Sequence, residues 1–335
     1  MTAPNVLDIQ NLHIRLPSDQ SIAHIVKGIS FHIARGEILG VIGESGSGKT
    51  ITGLALLRLL PESAEVTADH ALFKGSDILR TDQESFNRLR GVNMAMIFQD
   101  PVASFNPAKT IGWHFHAIFQ RAAAATSERC PKDWAEQACK TMRDVGIARA
   151  DEIMSAYPHQ ISGGMLQRVL IALVLALAPD FVIADEPTTN LDKLVERQVL
   201  HLFRDLQERL HAGMMFITHD MAVAASLCNR IAVMYAGEIV ECGTTHQIFN
   251  HPKHPYTQGL VATAVALSEG GGERLPELPG SPPSPSIEAS GCLFSDRCPK
   301  AMPHCRTTIP PDVMIDTEHD VRCLLYVDAK ETENA

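Results

Sequence analysis

The stretch Gly43-Glu44-Ser45-Gly46-Ser47-Gly48-Lys49-Thr50 satisfies every fixed position of the phosphate-cradling pattern G-x-x-x-x-G-K-[ST]. Few patterns restrict a fold as strongly, because such a loop needs a buried strand before it and a helix N-terminus after it. Both flanks are present: Ile38-Leu39-Gly40-Val41-Ile42 reads as a short buried strand, and Ile51 to Leu60 reads as a helix. The glycines allow successive backbone N–H groups to line a nest for an anion, and the helix adds the positive end of its dipole. In that geometry Lys49 reaches phosphate oxygens and the Thr50 hydroxyl is a ligand for Mg²⁺. The expected class is α/β.

The totals narrow the possibilities further. A chain of 335 residues has room for about two domains. A net charge of −10 argues against a general nucleic-acid binder. The longest apolar stretch, around Val169–Pro179, is well short of the roughly 20 residues that span a bilayer. The N-terminus lacks the basic-then-apolar pattern of a signal peptide, so a cytosolic chain is expected, with any membrane work done through partners. Eight cysteines in such a chain suit free thiols or metal ligands better than disulfides, and four of them fall within Cys292–Cys323.

Alternating runs at Val6–Gln10 and Ile29–Ile33 predict antiparallel strands with one wet face. Residues 86–90 have helical character, and Val92–Phe98 reads as a buried strand that ends at Gln99-Asp100-Pro101. From Ser104 to Ile161 the apolar spacing is helical. Ser162-Gly163-Gly164 then opens an apolar helix running to Ala178, where hydroxyl and backbone N–H donors suit either an anion or a plain helix cap. Phe181–Ala184 reads as a buried strand ending in Asp185 and Glu186, at the strand end where ligands of open α/β sheets bind. Asp185 suits a Mg²⁺-associated role and Glu186 suits orienting or deprotonating an attacking water; two solvated turn carboxylates are the plain alternative. A helix from Lys193 to Leu210 precedes the strand Met214–Ile217, which ends at Thr218-His219-Asp220.

The ordered set GESGSGKT, Gln99, SGG at 162–164, FVIADEP, Asn190-Leu191-Asp192 and ITHD resembles the ATP-binding cassette (ABC) ATPases. MIFQDP, YPHQISGG, ADEPTTNLD, MYAGEIVE and HPYTQGL are similar to the ATPase subunits of bacterial peptide and nickel importers, in particular their dipeptide-permease branch. The resemblance implies a cassette over residues 1–260, with a RecA-like core, an antiparallel β subdomain and a helical signature subdomain at about 103–170. A Pro/Gly-rich linker at 261–290 and a cysteine-rich domain at 291–335 would follow. It also implies roles for the matching positions. Gly43 to Thr50 would hold the phosphates of ATP and Mg²⁺, with Lys49 on the phosphates and Gln99 sensing Mg²⁺ and the attacking water. Asp185 would be the Mg²⁺ carboxylate, Glu186 the catalytic base and His219 the switch at the γ-phosphate. Ser162, Gly163 and Gly164 would bind the nucleotide of an opposing cassette, and Asp192 would lie at the dimer seam. The implied partners are a second, homologous ATPase subunit, two permeases and an extracytoplasmic binding protein, with the chain peripheral on the cytoplasmic face of the cell membrane. A soluble ABC protein acting on ribosomes or nucleic acid, and an exporter motor, are the competing readings. No long heptad run, second cassette or fused membrane domain supports either. The sequence departs from the family pattern in three places. Met165 replaces the glutamine of LSGGQ, Asn190 stands where small residues are usual, and only Ala23 or His24 occupies the expected adenine-stacking position.

The spacing of Cys292, Cys298, Cys305 and Cys323 is C-x₅-C-x₆-C-x₁₇-C. Four thiolates suit tetrahedral zinc or a 4Fe–4S cube. Zinc sites favour close C-x₂₋₄-C pairs, so the wider gaps favour the cube, and the resembled importer subunits point the same way. Too few apolar residues surround the segment for it to fold on core burial alone.

Overall fold

The computed structural model describes residues 4–18, 21–189, 192–268, 278–286 and 289–327. The chain opens with β1 (Asn5–Ser18), β2 (Ser21–Ala34), β3 (Ile38–Ile42), α1 (Lys49–Leu56), β4 (Glu65–Thr67), β5 (His70–Phe73) and β6 (Ser76–Asp77). It continues with α2 (Gln83–Leu89), β7 (Met94–Ile97), α3 (Ile111–Ala125), α4 (Trp134–Asp144), α5 (Ala150–Ser155), α6 (Gly163–Leu177), β8 (Phe181–Asp185) and α7 (Lys193–Leu210). Then come β9 (Gly213–Thr218), α8 (Met221–Leu227), β10 (Arg230–Tyr235), β11 (Glu238–Thr244), α9 (Thr245–Asn250), α10 (Pro255–Ser268), β12 (Asp312–Asp316) and β13 (His319–Arg322).

These elements fall into two compact units. The described residues of the first lie within 1–7, 33–37 and 73–215. There β7 and β8 pair in parallel, Ala95 opposite Val182, and every residue of β8 is buried, as expected of a strand covered on both faces. The helical part packs α3, α4, α5 and α6 on one another, with Phe115, Ala138, Met142, Leu166 and Val169 buried. α7 turns the stripe Val199, Phe203 and Leu206 inward, three residues spaced to share one helix face.

The second unit lies within 8–32, 38–72 and 216–335. One sheet holds β2, β1 and β5 in that order, with β4 added to β1 so that Ile14 faces Val66. The other runs β12-β13-β11-β10-β3. β10 pairs with β3 in parallel, Ile231 opposite Gly40, while β10 and β11 form a hairpin. Its two-residue turn, Ala236-Gly237, has both φ angles positive (48° and 91°), the twist that suits a tight hairpin.

Two expectations need correction. The helix after the phosphate loop was expected to reach Leu60 but ends at Leu56, because Arg58 adopts a left-handed φ of 49°. The stretch expected as a linker from residue 261 begins as helix, since α10 continues to Ser268. The described residues of the cysteine-rich segment lie within the second unit. β13 pairs with β11, Val321 opposite Glu241, which extends the sheet that carries β3. A small cluster of Val313, Val321 and Cys323, backed by Ile315, Tyr326 and Val327, seals that addition.

Candidate functional site

In the second unit, β3 delivers the chain into the glycine loop and α1 receives it. Gly43 is required by close approach: a Cβ there would lie 2.0 Å from the Met234 carbonyl oxygen. Gly48, at φ 103°, takes the left-handed turn into α1. The Lys49 ammonium is buried and donates to the Gly43 and Glu44 carbonyls, both at 2.8 Å, and to the Ser47 hydroxyl at 3.3 Å. Ser45, Gly46 and Thr50 face solvent. The hairpin turn props the loop from behind, since the Gly237 N–H donates to the Ser47 carbonyl at 3.0 Å. The Thr50 hydroxyl is a hard oxygen donor of the kind Mg²⁺ takes beside phosphates, and the nest of N–H groups suits anionic oxygen. His219 is exposed immediately after β9, and Asp220 caps α8 by accepting from the Ala222 N–H at 2.8 Å.

At the expected adenine-stacking position, the His24 ring stacks on His13 at a centroid distance of 5.2 Å, and His24 Nε2 lies 3.0 Å from His13 Nδ1. Burial holds both imidazoles below their ordinary value, with Arg15 adding repulsion.

In the first unit, Asp185 ends β8 with its side chain buried. Glu186 follows with a positive φ of 43°, a conformation costing a non-glycine residue roughly 1–2 kcal/mol. The Thr189 N–H fixes that turn by donating to the Glu186 carbonyl at 3.1 Å, and the Thr189 hydroxyl donates to its carboxylate at 2.9 Å. Gln99, from the end of β7, donates its amide to the same carboxylate oxygen at 3.2 Å. The glutamine and the carboxylates predicted separately thus meet at the ends of two paired strands. Ser162 caps α6 by accepting from the Met165 N–H at 3.3 Å, and Ser162 and Gly163 remain exposed. Asp192 caps α7, accepting from the Leu194 and Val195 N–H groups at 3.0 Å each. Asn190 and Leu191 lie outside the described residues.

Sequence reasoning missed a second layer around the phosphate loop. The Glu44 N–H donates to the Tyr256 hydroxyl at 3.0 Å, and its carboxylate takes a two-pronged salt bridge from Arg297 at 2.8 and 2.9 Å. No local pattern links residues so far apart in the chain.

All eight cysteines are free thiols. Cys305 and Cys323 are buried, and Cys292 and Cys298 are half-buried. Burial pushes the Cys292 thiol up to about 11, and the neighbouring Cys323 and Cys305 add to the shift. Backbone N–H groups of Lys300 and Met302 donate to the Cys298 and Cys305 sulfurs, each at 3.4 Å. The four thiols are therefore electrostatic neighbours with N–H groups aimed at sulfur. Among the described residues, no three His, Cys, Asp or Glu side chains converge closely enough to hold a metal ion.

A glycine nest between strand and helix, a strand-end carboxylate pair tied to a glutamine, and a Ser-Gly-Gly helix start together define an ABC-type nucleotide-binding cassette. The fold is that of the dimeric MJ0796 cassette of a bacterial ABC transporter, with a TM-score of 0.63 at 22% identity over 71% of this chain and 98% of that one. The ABC transporter family matches residues 26–189, and the oligopeptide/dipeptide transporter C-terminal region matches 240–305. A probable peptide ABC transporter ATP-binding protein of Sinorhizobium fredii is 39% identical over 325 residues, 95% of this chain and 94% of its own length. The dipeptide transport ATP-binding proteins DppD of Bacillus subtilis and Escherichia coli are 38% identical over 321 residues and 37% over 319. They cover 96% and 95% of this chain, and 94% and 96% of their own lengths. The chain belongs to the ATP-binding subunits of dipeptide/oligopeptide ABC transporters, and its enzymatic activity is ATP hydrolysis coupled to transport. Among the described residues no helix is long and apolar enough to cross a membrane.

Proposed function

We propose that this chain drives the uptake of peptides or related small cargo, such as nickel or metal chelates, through two partner permeases supplied by an extracytoplasmic binding protein. It would work at the cytoplasmic face of the membrane, paired with a second, homologous ATPase subunit. The observation that supports the reading is the hydrogen bond from the Gln99 amide to the Glu186 carboxylate at 3.2 Å, joining the residues assigned as water sensor and base. Lys49 exchanges its carbonyl partners for phosphate oxygens when nucleotide binds. Mg²⁺, when bound, neutralises phosphate charge, and Thr50, Gln99 and Asp185 are the oxygen donors assigned to it. Glu186 takes the proton of the attacking water, and the Thr189 hydroxyl holds its carboxylate ready. His219 contacts the γ-phosphate. The Ser162-Gly163-Gly164 cap, exposed at Ser162 and Gly163, serves the nucleotide of the opposing subunit, and Asp192 lies on the same seam.

Cys292, Cys298, Cys305 and Cys323 are assigned to a 4Fe–4S cluster with a structural role. The backbone N–H groups directed at the Cys298 and Cys305 sulfurs support it. A single zinc ion is the alternative, since four thiolates also suit a tetrahedral site. The transport reading is tested by reconstituting the chain with its permeases and partner ATPase in vesicles. ATP-dependent accumulation of a labelled dipeptide supports the reading; equal accumulation without ATP refutes it.

A further inference from the structure

Arg297 immediately precedes Cys298, yet it is buried and all of its N–H groups are spoken for. Its Nε donates to the Pro279 carbonyl at 2.8 Å. One terminal nitrogen donates to Glu44 at 2.8 Å and to the Tyr235 hydroxyl at 3.3 Å. The other donates to Glu44 at 2.9 Å and to the Leu278 carbonyl at 3.4 Å. The guanidinium carbon sits 5.6 Å from the Tyr235 ring centroid and 5.9 Å from that of Phe294, so aromatic faces as well as oxygens fix the fork.

What the fork grips is the phosphate loop itself. The Glu44 carbonyl accepts from Lys49 at 2.8 Å and from the Ser47 N–H at 3.2 Å, while its own N–H is held by Tyr256. Glu44 also sets a carboxylate beside a loop built to receive a polyanion. Unneutralised, that charge repels phosphate; neutralised by Arg297, it becomes an anchor for the loop. We propose that Arg297 is a positioning residue for nucleotide binding, acting through Glu44, so that the cysteine-bearing segment sets the affinity of the phosphate loop. The inference is independent of what the thiols hold.

The test is the affinity of the purified full chain for a fluorescent ATP analogue with Mg²⁺, measured beside its melting temperature. Arg297→Met keeps the bulk and removes the charge, and it weakens binding about tenfold, as expected from losing hydrogen bonds to a charged partner. Adding Glu44→Gln removes the stranded carboxylate and restores the affinity to within about threefold of the parent. The control is Arg322→Met, which breaks ion pairs of the same segment to Asp312 and Glu238 without touching the loop. It lowers the melting temperature and leaves the affinity unchanged. Unchanged affinity in Arg297→Met, an equal loss in Arg322→Met, or no rescue by Glu44→Gln overturns the proposal. If Arg297→Met does not fold, Arg297→Lys replaces it, with a severalfold loss expected and an unchanged affinity overturning the proposal.

Discussion

Acidification should loosen the second unit through one imidazole. His254 is almost wholly buried just ahead of α10, with its ring 5.6 Å from that of Phe294. Its Nδ1 accepts from the Tyr256 N–H at 3.1 Å, so this nitrogen carries no proton. Burial pushes the imidazole down from its ordinary 6.5 to about 4, although the Glu241 carboxylate pulls the other way. The unfolded chain therefore binds more protons than the folded chain between those values, and stability must rise with pH there. Stability from this group is fully present above about pH 6.5 and is lost as pH falls toward about 4. The loss is about 2 kcal/mol at pH 5 relative to pH 8, and on the order of 3 kcal/mol at pH 4. His254→Asn keeps an acceptor near the Nδ1 position and removes the titration. Urea unfolding of parent and variant between about pH 4.5 and pH 8 measures the effect, followed by a probe in the second unit. The parent should lose stability more steeply with acid, by up to about 1.4 kcal/mol per pH unit. Parallel pH profiles would refute the reasoning.

Two further outcomes follow from the assignments. Anaerobic purification should give a coloured protein with iron and acid-labile sulfide, and Cys298→Ser should lose them; a colourless protein carrying one zinc ion would refute the cluster. Cysteine crosslinks from the segment between Asp100 and Ile118 should reach a permease in the assembled complex, since Val102 and Trp113 are exposed there (58% and 45%). Crosslinks formed only from other surfaces would count against that assignment.

What could be read from sequence was what local spacing encodes. The phosphate loop needs its strand and helix as immediate neighbours, so Ile38–Ile42 and α1 were visible beside it. α7 was legible to both ends because the amphipathic stripe and the Asp192 cap are contiguous signals. Asp192 and Ser162, singled out for chemistry, are seen as helix caps in this chain, and both remain exposed. The arrangement of the tail was not legible. The pairing of β13 with β11 joins segments about 80 residues apart through backbone hydrogen bonds, and alternation alone does not name a strand's partner. The Arg297–Glu44 bridge is equally silent in sequence. An arginine beside a cysteine and a glutamate inside a loop are each unremarkable until the fold joins them.

Glu186→Gln in the assembled transporter tests the central claim most directly. The amide keeps the side chain's shape and its contacts to Gln99 and Thr189 but cannot take a proton from water. Nucleotide binding and single-turnover hydrolysis are measured on the same reconstituted sample. Binding should be retained, while hydrolysis should fall by at least about a hundredfold. Hydrolysis at the parent rate would contradict the assignment of Glu186 as the base on which this account of the ATPase rests.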